Sequence, residues 1–259
     1  MKDELIISII QPDLHWEDAV ANRSSLEQSM LSINDSTHLV ILPEMFTTGF
    51  SMDAKNLAEE HEGETLGWMQ NMAGKMNSAI TGSIIVKEKG KYFNRLYFVF
   101  PDGSYDWYDK KHTFTLAGEH RTYTAGKKKL IIDYHGWKIC PLICYDLRFP
   151  VWARNTEDYD LLIYVANWPK KRIAAWDALL RARAIENMSY CVGVNRVGLD
   201  GNDHEYVGHS AVYNVLGDHI SKSQFEKEFI DTVSLSKEHI VTTRKHLQFL
   251  NDRDAFNLI

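Results

Sequence analysis

Short apolar runs, rich in β-branched residues and separated by polar segments, constrain the fold of this chain more than any other feature. Runs of this length, bounded by turn-forming residues, are typical of buried β-strands. Strands are therefore predicted at 5–11, 37–44, 78–86, 159–167, 189–198 and 206–218.

Helices and hairpins separate these strands. Helical periodicity predicts helices at 16–33 (ending near Asn34 and Asp35), 64–76 and 171–188. Two hairpins are predicted, one at 91–110 around a Pro-Asp-Gly turn and one at 129–144. Strands that alternate with helices, interrupted by hairpins, predict a single α/β domain over residues 1–259 with one mixed sheet or two sheets.

Charge and cysteine content exclude several classes of protein. The formal net charge of −6 does not favour nucleic acid or an acidic membrane as a partner. With only three cysteines and no CxxC pair, neither a disulfide scaffold nor a metal site is expected. The start of the chain, MKDELIISIIQPD, is not typical of a signal peptide, and no run approaches the length of a membrane helix. We expect a soluble cytoplasmic protein in a reducing compartment.

Three reactive side chains lie at the ends of predicted strands. Glu44 comes after LVILP, Lys110 after YDWYD and Cys144 after KICPLI. Reactive groups in α/β folds collect where strands end, so these three residues are candidates for one site.

The three residue types can together carry out acyl transfer. A thiol is only a few per cent thiolate at neutral pH, so a nucleophilic Cys144 needs a base or a nearby cation. A desolvated carboxylate such as Glu44 can act as that base, and Lys110 can stabilise an oxyanion. Spacing alone leaves other roles open: a buried structural thiol, a capping glutamate and a solvated lysine. Eleven histidines also leave a histidine base possible, although the papain-type signature is absent.

Three motifs carry a resemblance to a known family. The segments LPEMFTTGF (42–50), YDKKHTF (108–114) and ICYDLRFP (143–150) resemble the signature segments of the nitrilase, or carbon–nitrogen hydrolase, superfamily, in the same order. The resemblance implies a four-layer α-β-β-α sandwich, hydrolysis without a metal or organic cofactor, and a homodimer or larger assembly.

The resemblance also implies roles for individual residues. Glu44 matches the general base, Lys110 rather than Lys111 matches the catalytic lysine, and Cys144 matches the nucleophile. Glu119 matches a second glutamate that places the lysine and the substrate. The alternative interpretation of Glu119 is a surface ion-pair partner of Arg121. The backbone N–H of Tyr145 is expected to join Lys110 in an oxyanion hole.

Segments 165–172, 181–187 and 193–202 resemble a bacterial group of omega-amidases, which deamidate 2-oxoglutaramate and 2-oxosuccinamate. In that case Asn167 and Trp168 are expected to line the pocket. The cation for a substrate carboxylate is left open among four residues, Arg121, Lys170, Lys171 and Arg172. Another nitrile, carbamoyl or aliphatic amide hydrolase is the alternative within the superfamily.

Other polar or sulfur-containing residues are interpreted as structural. Cys140 and Cys191 lie inside apolar strands, although Cys140 is the candidate resolving thiol if the protein were a non-catalytic or redox member of the fold. His112 is expected to orient or pack. Asp146 and Arg148 are expected to hold the turn after Cys144 by hydrogen bonds and ion pairing.

Overall fold

A seven-stranded mixed sheet forms the first half of the molecule in the computed structural model, which describes residues 3–33, 36–223 and 225–257. In spatial order its strands are β14 (Phe229–Ser236), β1 (Glu4–Gln11), β2 (Leu39–Ile41), β4 (Ala79–Glu88), β5 (Lys91–Val99) and β6 (Tyr105–Asp109), with β3 (Glu59–Glu60) paired to β4. Strands β1, β2 and β4 are parallel, whereas β14, β5 and β6 are antiparallel to their neighbours.

A five-stranded sheet forms the second half. Its order is β13 (Ala211–Tyr213), β10 (Tyr190–Val194), β9 (Leu161–Val165), β8 (Trp137–Ile143) and β7 (Ile132–Tyr134). The three central strands are parallel and both edge strands are antiparallel. A separate two-stranded ribbon contains β11 (Val197–Leu199) and β12 (Glu205–Val207).

Helices cover the outer faces of both sheets. The α-helices are α1 (Ala19–Leu31), α2 (Ala54–Leu57), α3 (Glu64–Met76), α4 (Glu119–Thr122), α5 (Pro150–Ala153), α6 (Ile173–Asn187) and α7 (Lys237–Leu247). Short 3₁₀ helices lie at Thr115–Ala117, Cys144–Arg148, Lys170–Arg172 and Phe249–Asp252. Helices α1 and α3 pack on the first sheet, and α6 packs on the second.

The side chains on the two faces of β1 show why most of its residues are apolar. Leu5, Ile7 and Ile9 join the core between the two sheets, whereas Ile10 joins the core beneath α1 and α3. A strand buried on both faces has no solvent side, so its sequence lacks polar alternation. The result is the α-β-β-α sandwich that the resemblance implies, with one apolar core between the sheets and another beneath α1 and α3.

On the outer side of the second sheet, β10 approaches α6 closely. A Cβ atom at Gly193 would lie 2.4 Å from Leu180 Cδ1 and 2.6 Å from Trp176 Cζ2. Trp176 and Leu180 are fully buried there, whereas Ile185 on the same helix is 47% exposed.

The chain end differs most from the sequence-based prediction. Strand β14 and helix α7 were not predicted, because FIDTVSLS is only partly buried and α7 buries Ile240 alone. The predicted strand 206–218 is instead β12 and β13, separated at Gly208 and His209, which both have positive φ. The predicted helix end near Asn34 and Asp35 lies outside the described residues.

Within the part of the chain that the structure describes, no helix combines the length and the apolar character needed to cross a membrane.

Candidate active site

The segments that follow β2, β6 and β8 meet at one place between the two sheets. Glu44 lies three residues after β2, and Lys110 and Cys144 lie directly after β6 and β8. Glu44 and Lys110 are almost completely buried, and Cys144 is 9% exposed at the floor of a cavity. The three residues predicted from strand ends therefore lie together.

Lys110 lies between two buried carboxylates. Its Nζ is 2.8 Å from Glu44 Oε1 and 3.0 Å from both oxygens of Glu119. Glu119, the first residue of α4, is completely buried and also accepts a hydrogen bond from the Phe114 N–H. Arg121 is exposed, so the alternative in which Glu119 is its surface partner is wrong.

The electrostatics of this cluster favour a charged lysine. Burial alone would lower the pKa of Lys110, but the Glu119 and Glu44 carboxylates outweigh burial and raise it well above its usual range. Burial raises the pKa of Glu119, and Glu44 adds to this effect although Lys110 opposes it. Lys110 is therefore an ammonium at neutral pH, fixed by charge-assisted hydrogen bonds.

The turn at Cys144 is constrained by Asp146. Cys144 has a φ of 43°, which is uncommon for a residue with a side chain. The buried Asp146 carboxylate accepts from the Ile143 N–H at 3.1 Å, the His112 N–H at 3.0 Å and the Tyr108 hydroxyl at 2.7 Å. These bonds link the nucleophile turn to the segment that carries Lys110, as the prediction for Asp146 required.

Two further contacts define the part that His112 plays. Its Nδ1 lies 2.7 Å from Asp146 Oδ1, and its ring stacks on Phe149 with 3.7 Å between centroids. These contacts fit the orienting role expected for His112.

Burial raises the pKa of the Cys144 thiol, the Glu44 carboxylate raises it further, and Lys110 opposes both. The thiol is therefore neutral at rest and needs a base at the moment of attack. Of the two carboxylates that raise the pKa of the thiol, Glu44 has the larger effect and Glu119 the smaller, and Cys144 Sγ lies 4.0 Å from the Asn167 carbonyl oxygen. A carboxylate close to the thiol can accept its proton during attack.

Asn167 connects the base to the second sheet. Its backbone N–H donates to Glu44 Oε2 at 2.8 Å, and its side-chain amide donates to the Glu44 carbonyl oxygen. Asn167 follows β9 and lines the cavity, as predicted, but most of its hydrogen bonds hold Glu44. Trp168 also lines the cavity, and its indole N–H donates to the Arg172 carbonyl oxygen at 2.8 Å.

The cavity above Cys144 has a volume of about 610 Å³. Two guanidinium groups lie on aromatic rings in its wall: Arg148 is 5.0 Å from the Trp168 ring and Arg172 is 5.0 Å from the Phe114 ring. Among the described residues, neither guanidinium has an ion-pair partner. The expectation that Arg148 holds the turn by ion pairing is therefore wrong.

Of the four candidate cations for a substrate carboxylate, Arg172 alone is among the residues that line this cavity. Lys170 pairs with Glu205 at 2.7 Å on the surface, and Arg121 and Lys171 are exposed elsewhere. Arg148 was not considered for this role, because its motif position suggested a structural one.

Asn94 was also missed. It lies on β5 and donates to Glu44 Oε1 at 2.8 Å. A polar residue inside the apolar run KYFNRLYFVF was the available signal, but an asparagine there is equally compatible with a solvent-facing position.

Over the described ranges, no group of three or more His, Cys, Asp and Glu side chains is arranged to hold a metal ion.

Comparison with known proteins agrees with this geometry. The carbon-nitrogen hydrolase family model matches residues 6–245. Omega-amidase YafV of Yersinia enterocolitica is 41% identical over 98% of this chain and 99% of its own. The 2-oxoglutaramate amidase of Bacillus subtilis is 32% identical over 82% of this chain and 83% of its own. XC1258 from Xanthomonas campestris, a CN-hydrolase superfamily protein with an arsenic adduct in its active site, superposes with a TM-score of 0.96 at 41% identity, covering 98% and 99% of the two chains.

The chain therefore belongs to the carbon-nitrogen hydrolase family. It is an amide-hydrolysing enzyme of the nitrilase superfamily that acts on small molecules, and the assignment made from the three sequence motifs is confirmed.

Proposed function

We propose that the protein is an omega-amidase that hydrolyses the terminal amide of 2-oxoglutaramate or 2-oxosuccinamate to a carboxylate and ammonia through a thioester. The observation that carries the proposal is the hydrogen-bonded cluster of Glu44, Lys110 and Glu119 beside Cys144, at the floor of a cavity with two guanidinium groups. The names of the relatives from Yersinia enterocolitica and Bacillus subtilis support the substrate class.

In the first half of the reaction, Cys144 is acylated. Glu44 accepts the thiol proton as Sγ forms a bond to the amide carbon. The developing oxyanion is stabilised by the Lys110 ammonium and by the N–H of Tyr145, which lies at the start of a 3₁₀ helix where such groups lack helical partners. Glu44 then donates its proton to the leaving nitrogen, the C–N bond breaks, and ammonia departs.

In the second half, the thioester is hydrolysed. Glu44 accepts a proton from a water molecule as its oxygen attacks the thioester carbon, and the same two donors stabilise the second oxyanion. The C–S bond breaks, the thiol regains a proton, and the carboxylate product leaves. Both carboxylate oxygens of Glu119 accept hydrogen bonds from Lys110, so we assign to Glu119 the role of positioning the Lys110 ammonium in both halves of the reaction.

We further propose that Arg148 and Arg172 bind the substrate's carboxylate. Both line the same cavity as Cys144, and a planar guanidinium matches a carboxylate with two parallel hydrogen bonds. Stacking on Trp168 and Phe114 fixes the two groups without using their hydrogen-bond donors. A substrate with one carboxylate and one amide would then be oriented with its amide towards Cys144.

Ammonia release from 2-oxoglutaramate, by the wild type beside Cys144→Ala, tests the proposal. Release by the wild type alone is expected. Release by both proteins would exclude Cys144 as the nucleophile. Release by neither would exclude the omega-amidase assignment, and a panel of aliphatic amides, carbamoyl compounds and nitriles would then identify the substrate.

The assembly is also part of the proposal. We expect a homodimer or larger, as in the family. Ile185, which is 47% exposed, lies beside Gly217, and Leu216, which precedes Gly217 in the chain, is 50% exposed, so this region offers apolar surface. Light scattering of the wild type and of Ile185→Lys tests this. A wild type that is monomeric at micromolar concentration would contradict it.

A single domain over residues 1–259 and a cytoplasmic location complete the proposal. The single domain is supported by one apolar core with members from both sheets, and one cooperative unfolding transition is expected.

The cytoplasmic location is supported by the reactive free thiol of Cys144, which a reducing compartment protects. Cell fractionation with an antibody to the protein tests it.

A further inference from the structure

Asn94 lies between the two carboxylates of the active site, outside all three motifs. Its Nδ2 donates to Glu44 Oε1 at 2.8 Å and is 3.4 Å from Glu119 Oε1. Both neighbours are carboxylate oxygens, which accept hydrogen bonds, so the NH₂ end of the amide must face them. Asn94 is 1% exposed, so these bonds are shielded from water.

The other end of the same amide has no partner among the described residues: Asn94 Oδ1 is buried and unpaired. An unsatisfied buried acceptor lowers stability, and an apolar side chain of similar size would avoid that cost. The presence of an asparagine here, in spite of that cost, points to a use for its donor.

The backbone fixes Asn94 relative to Lys110. The Lys110 N–H donates to the Asn94 carbonyl oxygen at 3.0 Å. Arg95, which follows Asn94, and Asp109, which precedes Lys110, are paired in register and joined by two hydrogen bonds of 2.7 and 2.9 Å. The donor of Asn94 is therefore held at a set position beside the Lys110 ammonium.

We propose that Asn94 is a positioning residue that orients the Glu44 carboxylate for its role as the base and sets its spacing from Glu119. A hydrogen bond donated to a carboxylate favours its charged form. Two carboxylates that share one ammonium repel each other, and a neutral donor between them reduces that repulsion without adding charge. The proposal rests on the role of Glu44 proposed above.

The groups that titrate around Glu44 define the measurement. The ionisable groups that interact with it are Lys110, Glu119, Cys144, Tyr123 and Tyr206. Burial raises the pKa of both tyrosines, which stay protonated below pH 9, and Lys110 stays charged. The acid limb of a pH profile therefore reports the coupled carboxylates.

The experiment compares Asn94→Leu, which removes the donor, with Leu96→Val, which alters packing on the same face of β5. Two profiles are recorded between pH 4 and 9: kcat/KM for 2-oxoglutaramate, and the rate of Cys144 alkylation by iodoacetamide, followed by peptide mass spectrometry. Asn94→Leu is expected to move both acid limbs to higher pH by roughly one unit, whereas Leu96→Val lowers Tm and leaves the limbs in place.

Asn94→Asp sharpens the test. It places a third carboxylate beside those of Glu44 and Glu119, and should move the acid limbs of both pH profiles further than Asn94→Leu does. If Asn94→Leu does not fold, Asn94→Ala replaces it, since it adds no volume. An unshifted limb in the donor-free variant, or an equal shift in Leu96→Val, would overturn the proposal. If the wild type releases no ammonia, the proposed function fails, and the alkylation profile still decides the role of Asn94.

Discussion

The floor and the wall of the cavity hold their charges in different ways. At the floor, Lys110 is bonded directly to Glu44 and Glu119, and all three are buried. In the wall, Arg148 and Arg172 rest on aromatic rings with their hydrogen-bond donors directed to no described carboxylate. The floor is thus built for fixed chemistry, since its groups already satisfy one another, whereas the wall keeps donors for a ligand.

The largest effect is expected at the floor. Lys110→Met should lower kcat/KM by about 100–1000-fold, because it removes an oxyanion donor. It should also destabilise the fold by about 3–5 kcal/mol, since two buried carboxylates lose their counterion. Ammonia release and denaturant unfolding measure the two effects.

The neighbouring Lys111→Met is the matched control. Its ammonium is 5.3 Å from the Trp152 ring and is not part of the carboxylate cluster, so both properties should stay close to wild type. An equal loss in Lys111→Met would show that the comparison between the two lysines is wrong.

A smaller and more selective effect is expected in the wall. Arg148→Met should raise KM for 2-oxoglutaramate by roughly 10–100-fold, the value of a hydrogen bond to a charged group, with a smaller change in kcat and little change in Tm. For an amide without a carboxylate, KM should not change. Arg121→Met, at an exposed position away from the cavity, serves as the control. Equal losses for both substrates would contradict a carboxylate-binding role.

The smallest effect is expected at Cys140, four residues before the nucleophile. Cys140→Ala should leave kcat/KM within about 2-fold of wild type, because the thiol packs in the apolar core and has no catalytic partner. Burial raises the pKa of Cys140, so its thiol keeps its proton as pH rises through the range where an ordinary thiol ionises. Its alkylation should therefore remain slow between pH 6 and 9. Loss of amide hydrolysis in this variant would contradict a purely packing role for Cys140.

The same contrast explains what could be predicted from the sequence. Glu44 and Cys144 follow apolar runs and Lys110 ends a predicted hairpin strand, so their positions at strand ends could be predicted, and the motifs identified the family. The carboxylate-binding role proposed for Arg148 could not be predicted from the sequence. It depends on contact with Trp168, which is 20 residues away in sequence and is brought close only by the fold.

Two other features were missed for different reasons. Strand β14 is partly buried and carries polar side chains, so it lacks the apolar run by which the other strands were recognised. Asn94 breaks an apolar run with one amide, and only its two carboxylate neighbours distinguish it from an edge residue. Both positions are set by contacts between distant segments, which local patterns do not record.

The two hydrogen bonds between Asn167 and Glu44 have a consequence for the partly folded protein. Glu44 follows β2 of the first sheet and Asn167 follows β9 of the second, so these bonds need both sheets in their final arrangement. A compact intermediate with both sheets formed but their facing side chains not yet interlocked would show native far-ultraviolet circular dichroism and no hydrolysis. During refolding, the rate at which activity returns would then report the final docking of the two sheets. The rate at which circular dichroism returns would report the formation of secondary structure.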